Sequence, residues 1–117
     1  MSRKILVVDD ETSIADLMKD AFEFEGFQAH SLYSGNQAIN FLKDNAVDLI
    51  ISDVRMPDGD GLKLLEAVNC MDSPPKLVFI TGHSEYTAES LKENGAAEVF
   101  FKPLIVDQFI KKIKDIF

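Results

Sequence analysis

The stretch LIISDVRMPDGDGL, residues 49–62, decides how this chain is read. Leu49, Ile50, Ile51 and Ser52 form a run of aliphatic and small residues, the pattern of a strand buried on both faces. The run ends on a carboxylate, Asp53, and then breaks into Pro57, Gly59 and Gly61. Aspartate is a poor strand residue, and desolvating it is unfavourable. Asp53 therefore has two readings. It opens a turn, as aspartates commonly do, or it stands at a strand mouth to meet a cation or a phosphoryl group. Taken by itself, the turn is the simpler reading. The neighbouring segments must decide.

Upstream, KILVVDD is a strand ending on Asp9 and Asp10. From Thr12 to Glu25 the apolar residues Ile14, Leu17, Met18, Ala21 and Phe22 follow helical spacing, and Gly26 stops the helix. FQAHSL has the mixed polarity of an edge strand. Ser34 and Gln37 stand at capping-box spacing before a helix carrying Ala38, Ile39 and Leu42. VDLIIS is the third strand. Asp60 caps a helix with Leu62, Leu64, Leu65 and Val68. PPKLVFITG is a turn and a fourth buried strand. Ser84–Asn94 reads as a weaker helix ended by Gly95, and AEVFF as the fifth strand. The last helix presents Ile105, Val106, Phe109, Ile110, Ile113 and Phe117 on one side, with lysines opposite and late, where the helix dipole favours them. Five strands alternating with five helices predict a single α/β domain over residues 1–117. Its sheet is parallel, with right-handed crossovers covering both faces.

The bulk numbers agree. A chain of 117 residues, 46% hydrophobic and 27% charged, can bury a core without staples. Cys70 is the only cysteine, so no internal disulfide forms, and it is expected to pack as a small apolar residue. The first apolar run is too short for a signal peptide or a membrane span, so a cytoplasmic protein is expected. A net charge of −8 disfavours nucleic acid and anionic lipid, and suits metal cations or basic partner surfaces.

In parallel sheets, functional groups gather outside the carboxyl ends of the strands. Strand one ends at Asp9-Asp10, strand three at Asp53, strand four at Thr81-Gly82 and strand five at Lys102-Pro103. Each has an ordinary explanation alone: acids that open a helix, a β-branched strand residue, a solvated lysine before proline. Their joint placement at one rim does not. Carboxylates about 4 Å apart repel by roughly 4 kcal/mol per pair at an effective dielectric of 20, so such a site takes up a proton or a cation. Oxygen ligands with room for water suit Mg2+, whereas zinc would want histidine or cysteine, and only His83 is near. Metal, ammonium and hydroxyl together can hold a phosphoryl group in transfer. Asp53 is then placed to attack as a carboxylate nucleophile.

This constellation resembles the receiver domain of bacterial two-component response regulators, in ILVVDD, LIISDVRMPDGDGL, VFITGH and VFFKP, and the likeness runs the length of the chain. The resemblance implies a flavodoxin-like sheet of order 2-1-3-4-5. It implies that Asp53 accepts a phosphoryl group from a phosphohistidine of a sensor histidine kinase or a histidine phosphotransfer protein. Asp10, Asp53 and the backbone carbonyl of Arg55 would ligate Mg2+, with Asp9 acting through metal-bound water. Lys102 and Thr81 would contact phosphoryl oxygens, and Lys102–Pro103 is a candidate cis peptide. The output surface would be the fourth helix, fifth strand and fifth helix. The domain would be a switch and not a turnover enzyme.

Three positions depart from the family. Val99 stands where an aromatic is usual, with Phe101 on the same strand face. Arg55 and His83 border the site and are expected to tune phosphoryl lifetime. Gly59 replaces a usual apolar residue and is expected to loosen its loop. The chain ends just after the fifth helix. Either a single-domain regulator acting on a downstream protein, or a receiver cut from a longer protein with an output domain, is expected. The competing functions are an Mg2+-dependent phosphohydrolase working through an aspartyl phosphate, a flavin-binding protein and a degenerate receiver acting only as an interaction module. The phosphohydrolase usually carries Asp-x-Asp on its first strand, where this chain has Asp9-Asp10-Glu11. Flavin binding lacks its phosphate loop after strand one, the intact acid set argues against degeneracy, and a P-loop motif is absent.

Overall fold

A computed structural model describes residues 3–82 and 87–117. Ten elements alternate: β1 (Lys4–Val8), α1 (Thr12–Phe24), β2 (Gln28–Leu32), α2 (Gly35–Asp44), β3 (Leu49–Asp53), α3 (Gly61–Asn69), β4 (Lys76–Thr81), α4 (Ala88–Glu93), β5 (Glu98–Phe101) and α5 (Val106–Ile116). Every strand pairing is parallel, and the sheet order is β2-β1-β3-β4-β5. The parallel α/β sheet predicted by the alternation is the one found, in the flavodoxin-like order. Among the described residues, no helix is long and apolar enough to cross a membrane.

The continuous apolar runs become inner strands because helices cover both of their sides. On one face, Leu6, Ile50, Leu77 and Phe79 pack with Ala38 of α2, Leu64 and Leu65 of α3, and Leu91 of α4. On the other, Ile5, Ile51 and Val78 pack with Ala15, Met18 and Phe22 of α1 and with Phe109, Ile110 and Ile113 of α5. Each such side chain contributes about 1.5–3 kcal/mol by leaving water. In β2, at the edge, only Ala29 is buried, as its mixed polarity predicts.

Local signals set most element ends. Gly26 and Gly95 both adopt positive φ just past α1 and α4. Ser34 Oγ accepts from the N–H of Gln37 at 3.1 Å. The Gln37 side chain, however, accepts from the N–H of Tyr33 at 2.9 Å, so the box closes one residue before the cap. Asp60 caps α3 by accepting from the N–H of Lys63 at 2.9 Å.

Three expectations are corrected. The described part of α4 begins at Ala88, where Thr87 caps it by accepting from the N–H of Ser90 at 3.0 Å; residues 84–86 of the expected helix lie outside the described residues. Ile105 is the residue before α5, 64% exposed, and not part of its buried face. Cys70 is exposed: it is the C-cap residue of α3, and its position in the helical repeat lies opposite the stripe of Leu64, Leu65 and Val68.

The C-terminal end of α5 is fastened to the base of the sheet. Lys114 pairs with Glu25 at 2.8 Å, and Lys76 Nζ donates to the carbonyl of Ile116 at 2.8 Å. Phe117 stacks on Phe27 with centroids 5.6 Å apart, and the Arg3 guanidinium lies 4.9 Å from the Phe117 centroid.

Gly61 ties the fold to the rim, because its N–H donates to the carbonyl of Val54 at 2.7 Å. A Cβ there would stand 2.5 Å from the carbonyl oxygen of Asp53 and 2.7 Å from a ring carbon of Phe79. Gly61→Ala is therefore expected to force the end of β3 to shift, at about 1–3 kcal/mol of stability in a urea titration. Unchanged stability would mean that the approach is not tight.

Candidate functional site

Strand register builds the site. Pairing of Val8 with Ser52 brings the residues after β1 alongside the last residue of β3, Asp53. Asp53 does not open a turn; it closes the strand. One carboxylate oxygen from each of Asp9, Asp10 and Asp53 lies within 4.8 Å of the others. Asp9 and Asp53 are both buried at 7% exposure, while Asp10 is exposed. Thr81, wholly buried, ends β4. The N–H of Lys102 donates to the carbonyl of Thr81 at 3.0 Å, which carries the lysine onto the same rim. Its Nζ lies 2.9 Å from Asp53 Oδ2 and 3.9 Å from Asp9 Oδ2. Lys102–Pro103 is cis, as anticipated.

The structure thus brings together Asp9, Asp10, Asp53 and Lys102, with Thr81 at the adjoining strand end. Arg55, two residues beyond Asp53, is exposed on the following loop. His83 lies outside the described residues. Strand alternation puts Val99 in the core beneath α4 and turns Phe100 to the opposite face, edge-on to Phe109 at 5.0 Å. Phe101 shares the face of Val99, pairs in register with Thr81 and is 48% exposed.

Like charge dominates the electrostatics. At separations under 5 Å each carboxylate pair repels by roughly 3–4 kcal/mol at an effective dielectric of 20. Burial pushes the Asp9 carboxyl up to about 6; the Glu11 N–H and Lys102 oppose this, and the charges of Asp53 and Asp10 add to it. Burial alone would lower the Lys102 pKa, but its hydrogen bond to Asp53 and the charges of Asp53 and Asp9 outweigh that and raise it. The lysine is therefore cationic at neutral pH. One oxygen remains unanswered: among the described residues, buried Asp53 Oδ1 has no hydrogen-bond partner. Buried acceptors are rarely left so. An all-oxygen donor set, an excess of negative charge and an orphaned buried oxygen fit a hard divalent cation such as Mg2+.

One feature is not visible in local sequence pattern. Gly59 does not loosen its loop. Its carbonyl accepts from the N–H of Gly35 at 2.7 Å, and the carbonyl of Asp58 accepts from the N–H of Asn36 at 3.1 Å. At φ +91°, Gly59 also lies so close to Asn36 that a Cβ would meet the Asn36 backbone nitrogen at 2.7 Å. The only sequence signal for this is that Asp-Gly favours positive φ; the partners lie more than twenty residues away.

Asp9 gives a pH test. Its folded pKa is raised above the ordinary aspartate value, so the folded state binds this proton more tightly than the unfolded state. Stability is then highest at low pH with respect to this group, and falls as pH rises through about 6. Asp9→Asn is expected to stabilise the metal-free protein at pH 8 by on the order of 1 kcal/mol, with the gain gone near pH 4. Urea unfolding at the two pH values checks this, and an equal effect at both would contradict it.

The fold and rim can be set beside known proteins. The family model of the response regulator receiver domain matches residues 5–114. Sporulation initiation phosphotransferase F of Bacillus subtilis (strain 168) is 30% identical over 115 residues, 97% of this chain and 93% of that protein. The regulatory protein VanRc of Enterococcus gallinarum is 33% identical over 114 residues; the match takes in 97% of this chain but 49% of VanRc, so the chain spans about half the length of that relative. The response regulator protein TrrA from Thermotoga maritima, solved in complex with Mg2+-BeF, superposes with a TM-score of 0.86 at 28% identity, covering 98% of this chain and 99% of that one. With the family match reaching from β1 into α5, the chain belongs to the receiver domains of two-component response regulators.

Proposed function

We propose that this domain takes a phosphoryl group onto Asp53 from a phosphohistidine and acts as a switch, not as a turnover enzyme. The observation that carries this is the setting of Asp53. It stands at a strand mouth with Lys102 Nζ at 2.9 Å, two further carboxylates within 4.8 Å and one buried oxygen that has no hydrogen-bond partner among the described residues. Oδ1, the buried oxygen, is left to the cation, and the incoming phosphorus meets Oδ2. The Oδ2–P bond forms as the N–P bond of the donor breaks; the electron pair stays on that ring nitrogen, and the imidazole leaves neutral because its other nitrogen already carries a proton. Lys102, already beside Oδ2, moves its hydrogen bond to a phosphoryl oxygen and offsets the added charge. Thr81, at the end of the next strand, is the hydroxyl placed to bond a second phosphoryl oxygen. Asp9, Asp10, Asp53 and the carbonyl of Arg55 would hold Mg2+. Bound there, the ion supplies positive charge that screens the carboxylates and the phosphoryl oxygens. The complex of TrrA with Mg2+-BeF, on a relative matched end to end, supports this metal.

The upstream partner is a sensor histidine kinase or a histidine phosphotransfer protein. The likeness to sporulation initiation phosphotransferase F over 93% of its length supports a place in a phosphorelay. Inward movement of Thr81 would bias the surface of α4, β5 and α5, by contacts that differ between the two states. A downstream protein or an output domain reads that surface.

Incubation with Mg2+ and a phosphoramidate donor is expected to add one phosphoryl group, seen by intact mass. A chelator or Asp53→Asn is expected to reduce incorporation at least tenfold. Full labelling of Asp53→Asn would refute the assignment of the acceptor.

A further inference from the structure

The loop after Asp53 is fastened at both ends. Near the strand, Val54 and Met56 are buried in the core and the carbonyl of Val54 accepts from the N–H of Gly61 at 2.7 Å. At its far end Asp58 reaches across to the start of α2. Asp58 Oδ2 accepts from Ser34 Oγ at 3.0 Å, and Oδ1 accepts from Asn36 Nδ2 at 3.0 Å. Lys63 Nζ donates to Asn36 Oδ1 at 2.8 Å, fixing the amide that holds Asp58. Both carboxylate oxygens are engaged, and the bonds from Asn36 and then Ser34 hold the Asp58 carboxyl below the usual aspartate range.

Asp58 also holds an unusual backbone, φ +57°, the one positive φ among described residues other than glycine. That conformation is unfavourable by about 1–2 kcal/mol for most L-residues. Asp58 is exposed, so no core contact explains why it is held there. What the tether does fix is the path of residues 54–58, and Arg55 lies in the middle of it. Mg2+ demands near-ideal octahedral geometry, so a loop carbonyl serves it only if the loop is held in place.

We propose that Asp58, through Ser34 and Asn36, is a positioning residue for the metal site: it stiffens the loop that presents the Arg55 carbonyl. This rests on the reading of the rim as an Mg2+-dependent phosphoacceptor. Groups that orient metal ligands typically change affinity by about 10–100-fold when removed.

The test is an Mg2+ titration of the whole chain, followed by the amide NMR shifts of Asp53 and Lys102. Asp58→Gly adopts positive φ freely, so it keeps the turn and the backbone bonds of residues 58 and 59 to the start of α2, and loses only the side-chain bonds to Ser34 and Asn36. It is expected to weaken Mg2+ binding by roughly tenfold, while incorporation at saturating Mg2+ stays within about twofold. Asp58→Asn removes the charge but keeps one acceptor oxygen and tolerates positive φ. It is expected to bind within about threefold of wild type, between the two. Wild-type affinity in a folded Asp58→Gly protein overturns the tether alone. Equal losses in the Gly and Asn variants also overturn it, since charge would then be the cause. A wild-type protein with no Mg2+ shifts at Asp53 overturns both the tether and the reading of the rim.

Discussion

Mutual repulsion among three carboxylates is the constraint around which this molecule is arranged. Asp9, Asp10 and Asp53 would separate in a flexible chain. They stay within 4.8 Å because two of them follow β1 directly and the third ends β3, and those strands are locked in register by their ladder. The sheet in turn holds because apolar layers cover both faces. Packing energy is thus set against a local charge excess that a single lysine only partly offsets. The raised Asp9 carboxyl is the trace of that opposition. Proteins commonly store such unfavourable arrangements where chemistry is done.

The two faces of the sheet serve the rim differently. On the α1 and α5 side, large rings and aliphatic residues make a dense layer. On the other side, α2 and α3 also lend polar groups to the loop that follows Asp53, through Ser34, Asn36 and Lys63. That loop is therefore built as a strap fastened at both ends. The glycine in it serves close approach to Asn36, where any side chain would collide.

Much of this was legible in the chain. The buried strands show as unbroken apolar runs because both of their faces are covered. The rim acids show because each ends such a run, and Gly26 and Gly95 mark helix ends through a conformation few other residues accept. The illegible features depend on a partner distant in sequence or on where an element starts and stops. Gly59 reads locally as freedom, yet Asn36 confines it. Asp9 and Asp10 are identical neighbours, yet one is buried and the other exposed. Cys70 looks like core filler, yet the helical repeat carries its position to the side opposite Leu64, Leu65 and Val68. Ile105 fits the apolar stripe of α5 but precedes the first turn, leaving it in water.

The unequal ends of α5 set its mechanics. Its far end is pinned by Glu25, by Lys76 beneath the Ile116 carbonyl, and by the ring stack of Phe117 on Phe27 with Arg3 above. Its near end follows Lys102 by only a few residues, and Lys102 answers directly to the charge on Asp53. A rod clamped at its foot and pulled at its head pivots more easily than it slides. Small displacements of one ammonium group would then reach the outer surface as rotation, with the amplitude greatest beside the half-exposed ring of Phe101.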